Sequence, residues 1–72
     1  MRVTSAAELG ALIRARRRER GLSQTELAEL SGVSLRFVSE VERGRATAGI
    51  GLVLRLCSRL ALDLTVSPRE AS

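Results

Sequence analysis

Arginine is the residue type in this sequence with the clearest capacity to bind a ligand. All twelve basic side chains are Arg, against eight Asp and Glu. A guanidinium carries a permanent charge and donates paired hydrogen bonds to phosphates, to carboxylates or to the acceptor edge of guanine. The formal net charge of +4 and the isoelectric point near 11.3 favour a polyanionic partner. An inventory without Lys is also typical of a genome rich in GC codons.

Enzymatic and metal-binding chemistry lack suitable residues. His and Lys are absent and Cys57 is the single thiol, so the sequence offers neither a general base beside a nucleophile nor a set of zinc ligands. Cys57 falls in an apolar stripe without a second cysteine, which favours an inert buried thiol. We therefore predict no catalytic residue, no metal, no cofactor and no enzymatic activity.

The length of the chain bounds its architecture. A chain of 72 residues buries only roughly 60% of its unfolded surface, so we expect a single domain over residues 1–72 with one small core. No apolar run approaches the roughly 20 residues that span a bilayer, and the N-terminus lacks a signal-peptide pattern. The single aromatic residue, Phe37, provides little surface for stacking single-stranded bases. We expect a soluble, cytoplasmic protein without membrane contact.

Capping boxes predict the first two helices. Ser5–Glu8 and Ser23–Glu26 each place a hydroxyl three residues before a carboxylate, an arrangement that satisfies free amides where a helix begins. We predict helices at approximately 6–20 and 24–31, each ended by a glycine. Their predicted buried residues are Leu9, Leu12 and Ile13 in the first helix and Leu27, Ala28 and Leu30 in the second.

Two further helices follow. Ser34 is the predicted N-cap of a third helix at approximately 35–43, and Thr47 is the predicted N-cap of a fourth at approximately 48–60. Apolar residues recur at helical spacing in both segments. The predicted buried residues are Val38 and Val41 in the third helix and Ile50, Val53, Leu54, Cys57 and Leu60 in the fourth.

The last segment changes periodicity, because apolar and polar residues alternate over 62–67, which predicts a β-strand. A single strand leaves unpaired backbone groups along both edges, so we expect it to pair with the same strand of a second copy in a twofold homodimer. The alternative is a frayed tail on a monomer. The predicted dimerisation residues are Leu52 and Leu56, which extend the apolar surface of the fourth helix, with Leu62, Leu64, Thr65 and Val66.

A turn between two short helices carries the functional signal. Gly32–Ser34 joins the second and third helices, and the small Ala28 lets these helices cross at a steep angle. The segments Gly21–Ala28, Gly32–Ser34 and Glu42–Gly44 resemble the Cro and lambda-repressor-like (Xre) family of DNA-binding domains, over roughly residues 8–45. This resemblance implies an all-α fold of four helices whose third helix enters the major groove of DNA.

The resemblance also assigns contacts by position. It places Leu35, Arg36 and Ser39 at base edges, where Arg36 matches the acceptors of guanine and Leu35 the methyl group of thymine. Glu40 is either a fourth base-reading residue or a solvated side chain. Ser31 departs from the family pattern, which more often has an apolar residue or Ala there. The expected phosphate contacts are Ser23, Gln24, Ser34, Arg43 and Arg45.

Two charged residues are expected inside the protein. Arg17 and Glu42 each follow an inward apolar residue by four positions, which places both on buried helix faces. Because an unpaired buried charge is costly, we predict that they form an ion pair across the first and third helices, as the corresponding residues do in repressors that this sequence resembles. Of the other arginines in the first helix, we assign a phosphate contact to Arg16 or Arg20.

The C-terminal half resembles HipB-type antitoxins, small repressors whose C-terminal strand pairs between protomers. The implied function is that of a nucleoid-associated homodimer that binds an inverted-repeat operator in double-stranded DNA, represses its own operon and holds a kinase toxin of the HipA type. Two alternatives remain open. One is a stand-alone Xre-type repressor or restriction-modification controller protein without a toxin, and the other is a protein-interaction module without DNA binding.

Overall fold

The computed structural model describes residues 2–45 and 47–69, which contain four α-helices. These are α1 (Ala6–Glu19), α2 (Gln24–Ser31), α3 (Leu35–Glu42) and α4 (Ile50–Arg59). The predicted all-helical architecture is confirmed. Residues 62–69 have no regular secondary structure within the single chain, so the strand predicted at 62–67 is not formed there. None of the described helices is long and apolar enough to cross a membrane.

Serine hydroxyls begin the first three helices. Ser5, Ser23 and Ser34 each accept a hydrogen bond from the amide three residues further on, at 3.0–3.1 Å. At α2 the Glu26 carboxylate completes the capping box by accepting from the Ser23 amide at 2.9 Å, which holds the pKa of Glu26 below its ordinary value. The stabilisation from this contact is therefore complete above the ordinary Glu pKa and is lost as the pH falls through the lowered value.

Two helix starts differ from the prediction. In α1 the Glu8 carboxylate accepts from the amide and the hydroxyl of Thr4, both at 2.6 Å, so only the hydroxyl half of the Ser5 capping box forms. The N-cap of α4 is Gly49, which has no side-chain cap, and the predicted cap Thr47 lies outside the helix. Glycine disfavours helical backbone, which explains why α4 begins later than its apolar pattern suggests.

The core lies where α3 packs against α1 and α2, and where α4 packs against α2. It excludes water from side chains of all four helices, and α4 together with its C-cap Leu60 contributes four of the nine buried apolar residues. The buried apolar residues are Ile13, Leu27, Ala28, Val38, Val41, Val53, Leu56, Cys57 and Leu60.

The burial of α4 corrects its predicted orientation. Ile50 and Leu54, predicted to be buried, are 69% and 46% exposed, whereas Leu56 is fully buried. The apolar residues of α4 cover more than half of its circumference, and Arg55, Ser58 and Arg59 occupy the remaining side. The face that packs inward is the one that carries Val53, Leu56 and Cys57 at helical spacing. Leu56 therefore belongs to the core of the monomer and not to an exposed dimerisation surface. In α2, the predicted core residue Leu30 is likewise exposed.

Ser31 is buried with a hydroxyl that has no hydrogen-bond partner among the described residues. A buried hydroxyl in this state has lost its hydration without compensation. We predict that Ser31→Ala raises the free energy of unfolding by up to about 1 kcal/mol, measured by urea denaturation. The control Ser34→Ala removes a helix cap and should lower it by about 1 kcal/mol. A loss of stability in Ser31→Ala would show that the hydroxyl has a partner.

Ala61 ends α4 in a left-handed conformation, with φ 56°, and it is the one non-glycine residue with positive φ in the part of the chain that is described. The conformation lets the Leu62 amide donate to the Cys57 carbonyl at 2.8 Å. Because this backbone strains a residue with a Cβ, we predict that Ala61→Gly stabilises the protein by roughly 0.5–1 kcal/mol in thermal unfolding. Ala11→Gly, on an exposed helical position, should destabilise it by about 1 kcal/mol, and equal losses in both variants would contradict the prediction.

Gly10 brings the backbones of α1 and α3 into contact. A Cβ at this buried position would overlap the carbonyl oxygen of Val41 and lie 3.0 Å from that of Glu42. Glycine is therefore the residue that lets α1 lie against the end of α3 at this distance. Gly10 was not among the predicted contact residues, although an isolated glycine within a helical pattern often marks such a contact.

Candidate nucleic-acid interface

The turn between α2 and α3 sets the direction of α3. Gly32 adopts a left-handed conformation with φ 67°, and the Val33 amide donates to the Ala28 carbonyl at 3.0 Å. This turn places Val38 and Val41 of α3 in the core. The opposite side of α3 is left facing solvent.

The predicted base-reading residues lie on this outer side of α3. Leu35 and Arg36 are exposed, while Ser39 and Glu40 are half-buried. The Arg36 side chain is 86% exposed, and its Nε lies 3.3 Å from Glu40 Oε1, one helical turn away. The surface therefore offers one apolar, one hydroxyl and one guanidinium group at helical spacing, beside a carboxylate paired with the guanidinium.

A groove runs beside this surface, and three helices form its walls. The first turn of α2 (residues 23–25) contributes one wall, α3 contributes Leu35, Ser39 and Arg43, and α1 contributes Arg14. We call this feature the three-helix groove. Backbone amides at the start of α2 carry the positive end of the helix dipole, and two guanidinium groups stand beside them. This combination suits an anion.

A buried ion pair lies at the base of the three-helix groove. Arg17 Nε donates to Glu42 Oε2 at 2.6 Å and Arg17 Nη2 donates to Glu42 Oε1 at 3.1 Å, with both residues 8% exposed. Arg17 Nη1 also donates to the Leu22 carbonyl at 2.7 Å, and Gln24 Nε2 donates to Glu42 Oε1 at 3.0 Å. The hydrogen bonds with Glu42 raise the pKa of Arg17. The structure thus brings together the two residues that spacing predicted to pair, and it adds Gln24 to them.

The predicted phosphate contacts occupy different places. Ser23, Gln24 and Arg43 line the three-helix groove, whereas Ser34 and Arg45 do not. The hydroxyls of Ser23 and Ser34 accept amide hydrogen bonds as helix caps. Arg45 is exposed beyond the end of α3.

Arg16 and Arg20, the arginines near the end of α1 to which a phosphate contact was assigned, both lie outside the three-helix groove. Arg16 does not line the three-helix groove, because its Nε donates to the Leu60 carbonyl at the end of α4, at 2.9 Å. Arg20 lies at the C-cap of α1 and is also outside the groove. Arg14, which the sequence analysis left unassigned, lines it instead. The signal was present in the spacing, since Arg14 precedes the inward-facing Arg17 by three residues and therefore shares its helix face.

The other groups to consider in residues 2–45 and 47–69 are the carboxylates and the single thiol. No group of three or more Cys, Asp and Glu side chains there is arranged to hold a metal ion. Cys57 is buried in the core, and burial raises the pKa of its thiol, which keeps it in the less reactive protonated form.

The sharp turn, the exposed face of α3 and the adjoining groove define the class of protein, which is a helix-turn-helix protein. The helix-turn-helix family model HTH_3 matches residues 13–66. The chain is 42% identical over 65 residues to the HTH-type transcriptional regulator y4mF of Sinorhizobium fredii, covering 90% of this chain and 86% of that relative. It therefore belongs to the helix-turn-helix family of DNA-binding transcriptional regulators of the Xre type.

Solved structures share the fold. A chain of the HipA-HipB-O2-O3 complex superposes with a TM-score of 0.86 at 20% identity, covering 97% of this chain and 99% of that one. The clp gene regulator ClgR from C. glutamicum superposes with a TM-score of 0.73 at 35% identity, covering 86% of this chain and 80% of that one. The fold of this chain is thus shared with the chain of the HipA-HipB-O2-O3 complex and with ClgR.

Proposed function

We propose that this protein is a sequence-specific autorepressor that binds an inverted-repeat operator in double-stranded DNA. The observation that carries the proposal is the exposed Arg36-bearing face of α3 beside the three-helix groove. In the proposed complex α3 enters the major groove, where Arg36 donates to guanine O6 and N7 and Leu35 contacts a thymine methyl group. The Ser39 hydroxyl forms a hydrogen bond with a neighbouring base edge. Gln24 and Arg43 bind the adjoining phosphates, and Ser23, Ser34 and Arg45 extend these backbone contacts.

The proposal is tested by titrating the protein with the duplex upstream of its own gene and with a scrambled duplex of equal length. We expect preference for the native sequence and a steep loss of affinity as salt rises. Arg36→Ala should lose about 1–3 kcal/mol of discrimination, whereas Arg59→Ala, on α4, should keep it. Equal affinity for both duplexes would contradict sequence-specific binding, and affinity that ignores salt would favour the protein-interaction module.

We further propose that the protein acts as a homodimer. Ile50, Leu54 and Leu64 are exposed. A shallow groove between α4 and the C-terminal segment includes Leu54, Leu62 and Leu64. Residues 62–67 alternate in polarity, and Val66 is 97% exposed. Strand pairing of 62–67, including Thr65, with a second copy would satisfy its backbone and cover this apolar surface. Leu52, on the other side of α4, joins the contact at its edge.

The two recognition helices of the proposed dimer would then lie about 34 Å apart, one turn of DNA.

The dimer is tested by sedimentation of three variants. Truncation after Ala61 and Val66→Asp should both give monomers that remain helical. Leu30→Asp places the same charge on an exposed residue of α2, outside the proposed contact, and should stay dimeric. A truncated chain that still sediments as a dimer would remove strand pairing from the proposal.

We propose, finally, that the partner of this protein is a kinase toxin of the HipA type. Support comes from the shared fold with a chain of the complex that contains HipA and HipB. Affinity purification of the tagged protein from its own cells tests the proposal. A co-purifying polypeptide of kinase size that phosphorylates serine or threonine when free supports it. Recovery of DNA alone would favour a stand-alone repressor or a controller protein.

A further inference from the structure

Arg14 is held beside α3 by the stripe of α1 to which it belongs. Gly10, Arg14 and Arg17 are spaced by four and three residues, so they share one face of the helix. Gly10 places this face against the backbone of Val41 and Glu42, and Arg17 fixes it through the Glu42 carboxylate. Arg14 lies between these two attachments, and its position in the three-helix groove is therefore set by rigid contacts on both sides.

The charges of the groove are not balanced around Arg14. The Glu42 carboxylate receives three donors, two from Arg17 and one from Gln24, and it neutralises Arg17. Arg14 makes no ion pair or side-chain hydrogen bond with any described residue, and Arg43 has one long contact, from Nε to the Ser39 carbonyl at 3.4 Å. Two guanidinium groups, those of Arg14 and Arg43, therefore line the groove beside the start of α2 without an ion pair to any described residue.

We propose that Arg14 contacts a DNA phosphate, so that α1 takes part in DNA binding together with α2 and α3. The phosphate lies in the three-helix groove, accepts hydrogen bonds from the first-turn amides of α2, and is flanked by Arg14 and Arg43. This inference rests on the proposed DNA-binding function. It adds a contact that is independent of base sequence, because a phosphate is the same at every step of the duplex.

The experiment compares Arg14→Gln with Arg59→Gln, which removes the same charge from an exposed residue of α4 outside the groove. Affinity for the native and scrambled duplexes is measured at several salt concentrations. We expect Arg14→Gln to weaken binding to both duplexes by roughly three- to tenfold and to lower the salt slope by about one per protomer. Arg59→Gln should change neither, and Arg14→Lys, which keeps the charge, should restore the slope.

The possible failures are distinct. Equal slopes for Arg14→Gln and Arg59→Gln would overturn the phosphate contact while leaving DNA binding intact. A loss confined to the native duplex would also overturn it, since it would assign Arg14 to a base. If the unmodified protein binds neither duplex, the proposed function itself fails. Circular dichroism of each variant establishes that the fold is retained, as expected for exposed positions.

Discussion

Glu42→Leu alone is expected to destabilise the protein by about 3–5 kcal/mol, because it leaves the Arg17 guanidinium buried without its carboxylate. Small domains can have a total stability of only about 5 kcal/mol, so the variant should retain at most about 2 kcal/mol and unfold at a much lower urea concentration. Arg17→Met should have an effect of similar size, since it strands the buried carboxylate. The free energy of unfolding, followed by circular dichroism in urea, measures both effects.

The double variant Arg17→Met with Glu42→Leu is expected to be more stable than either single variant, because apolar side chains of similar volume replace both charges. Recovery should be incomplete, since the Leu22 carbonyl and the Gln24 amide each lose a partner. Glu19→Ala is the matched control, because it removes an exposed carboxylate 3.6 Å from Arg16. We expect it to change stability by less than about 1 kcal/mol. Single variants at Arg17 or Glu42 that match this control would show that the buried pair contributes nothing.

Gly10→Ala is expected to destabilise the protein by about 1–3 kcal/mol or more, because its methyl group meets backbone atoms of Val41 and Glu42. Backbone cannot rotate away as a flexible side chain does, so α1 must move outward from α3. This movement would also separate Arg14 from Arg43 across the three-helix groove. We therefore expect weaker DNA binding in Gly10→Ala even under conditions where it remains folded.

Gly51→Ala is the matched control for this effect. Gly51 is also within a helix, but a Cβ there meets no atom within 4 Å. Alanine should therefore stabilise this position by about 0.5–1 kcal/mol through helix propensity alone. Thermal unfolding of both variants separates the two cases. If Gly10→Ala gained stability as Gly51→Ala does, the close approach of α1 and α3 would be contradicted.

The starts of the first three helices and the buried ion pair followed from local sequence. Ser23 and Ser34 predict helix caps because a hydroxyl satisfies an amide three residues away, which is a local geometry that tertiary packing does not alter. Arg17 and Glu42 were identified by their spacing from inward apolar residues, since a charge on a buried face requires a partner. These features depend on neighbours in sequence or on strong energetic penalties.

Features that depend on tertiary contacts were harder to predict from the sequence. The apolar residues of α4 cover more than half of its circumference, so periodicity alone did not show that Leu56 faces inward and Leu54 outward. Composition did not distinguish Arg14 from Arg16, although the spacing from Arg17 places Arg14 on the inward face of α1; the packing of α1 directs Arg14 to the groove and Arg16 to the end of α4. The strand proposed at 62–67 depends on a second copy, so a single chain does not test it.

Three arginines donate hydrogen bonds from one helix to another, and the geometry of these bonds limits where lysine can replace arginine. Arg16 Nε donates to the Leu60 carbonyl, Arg55 Nη1 donates to the Ser31 carbonyl at 3.2 Å, and Arg17 holds Glu42 through two nitrogens. Lysine carries one nitrogen at the end of a flexible stem and cannot reproduce the Nε donor or the planar fork. Codon usage alone would leave every arginine exchangeable for lysine. At Arg16 and Arg17 the guanidinium geometry itself is under structural constraint, whatever the base composition of the genome.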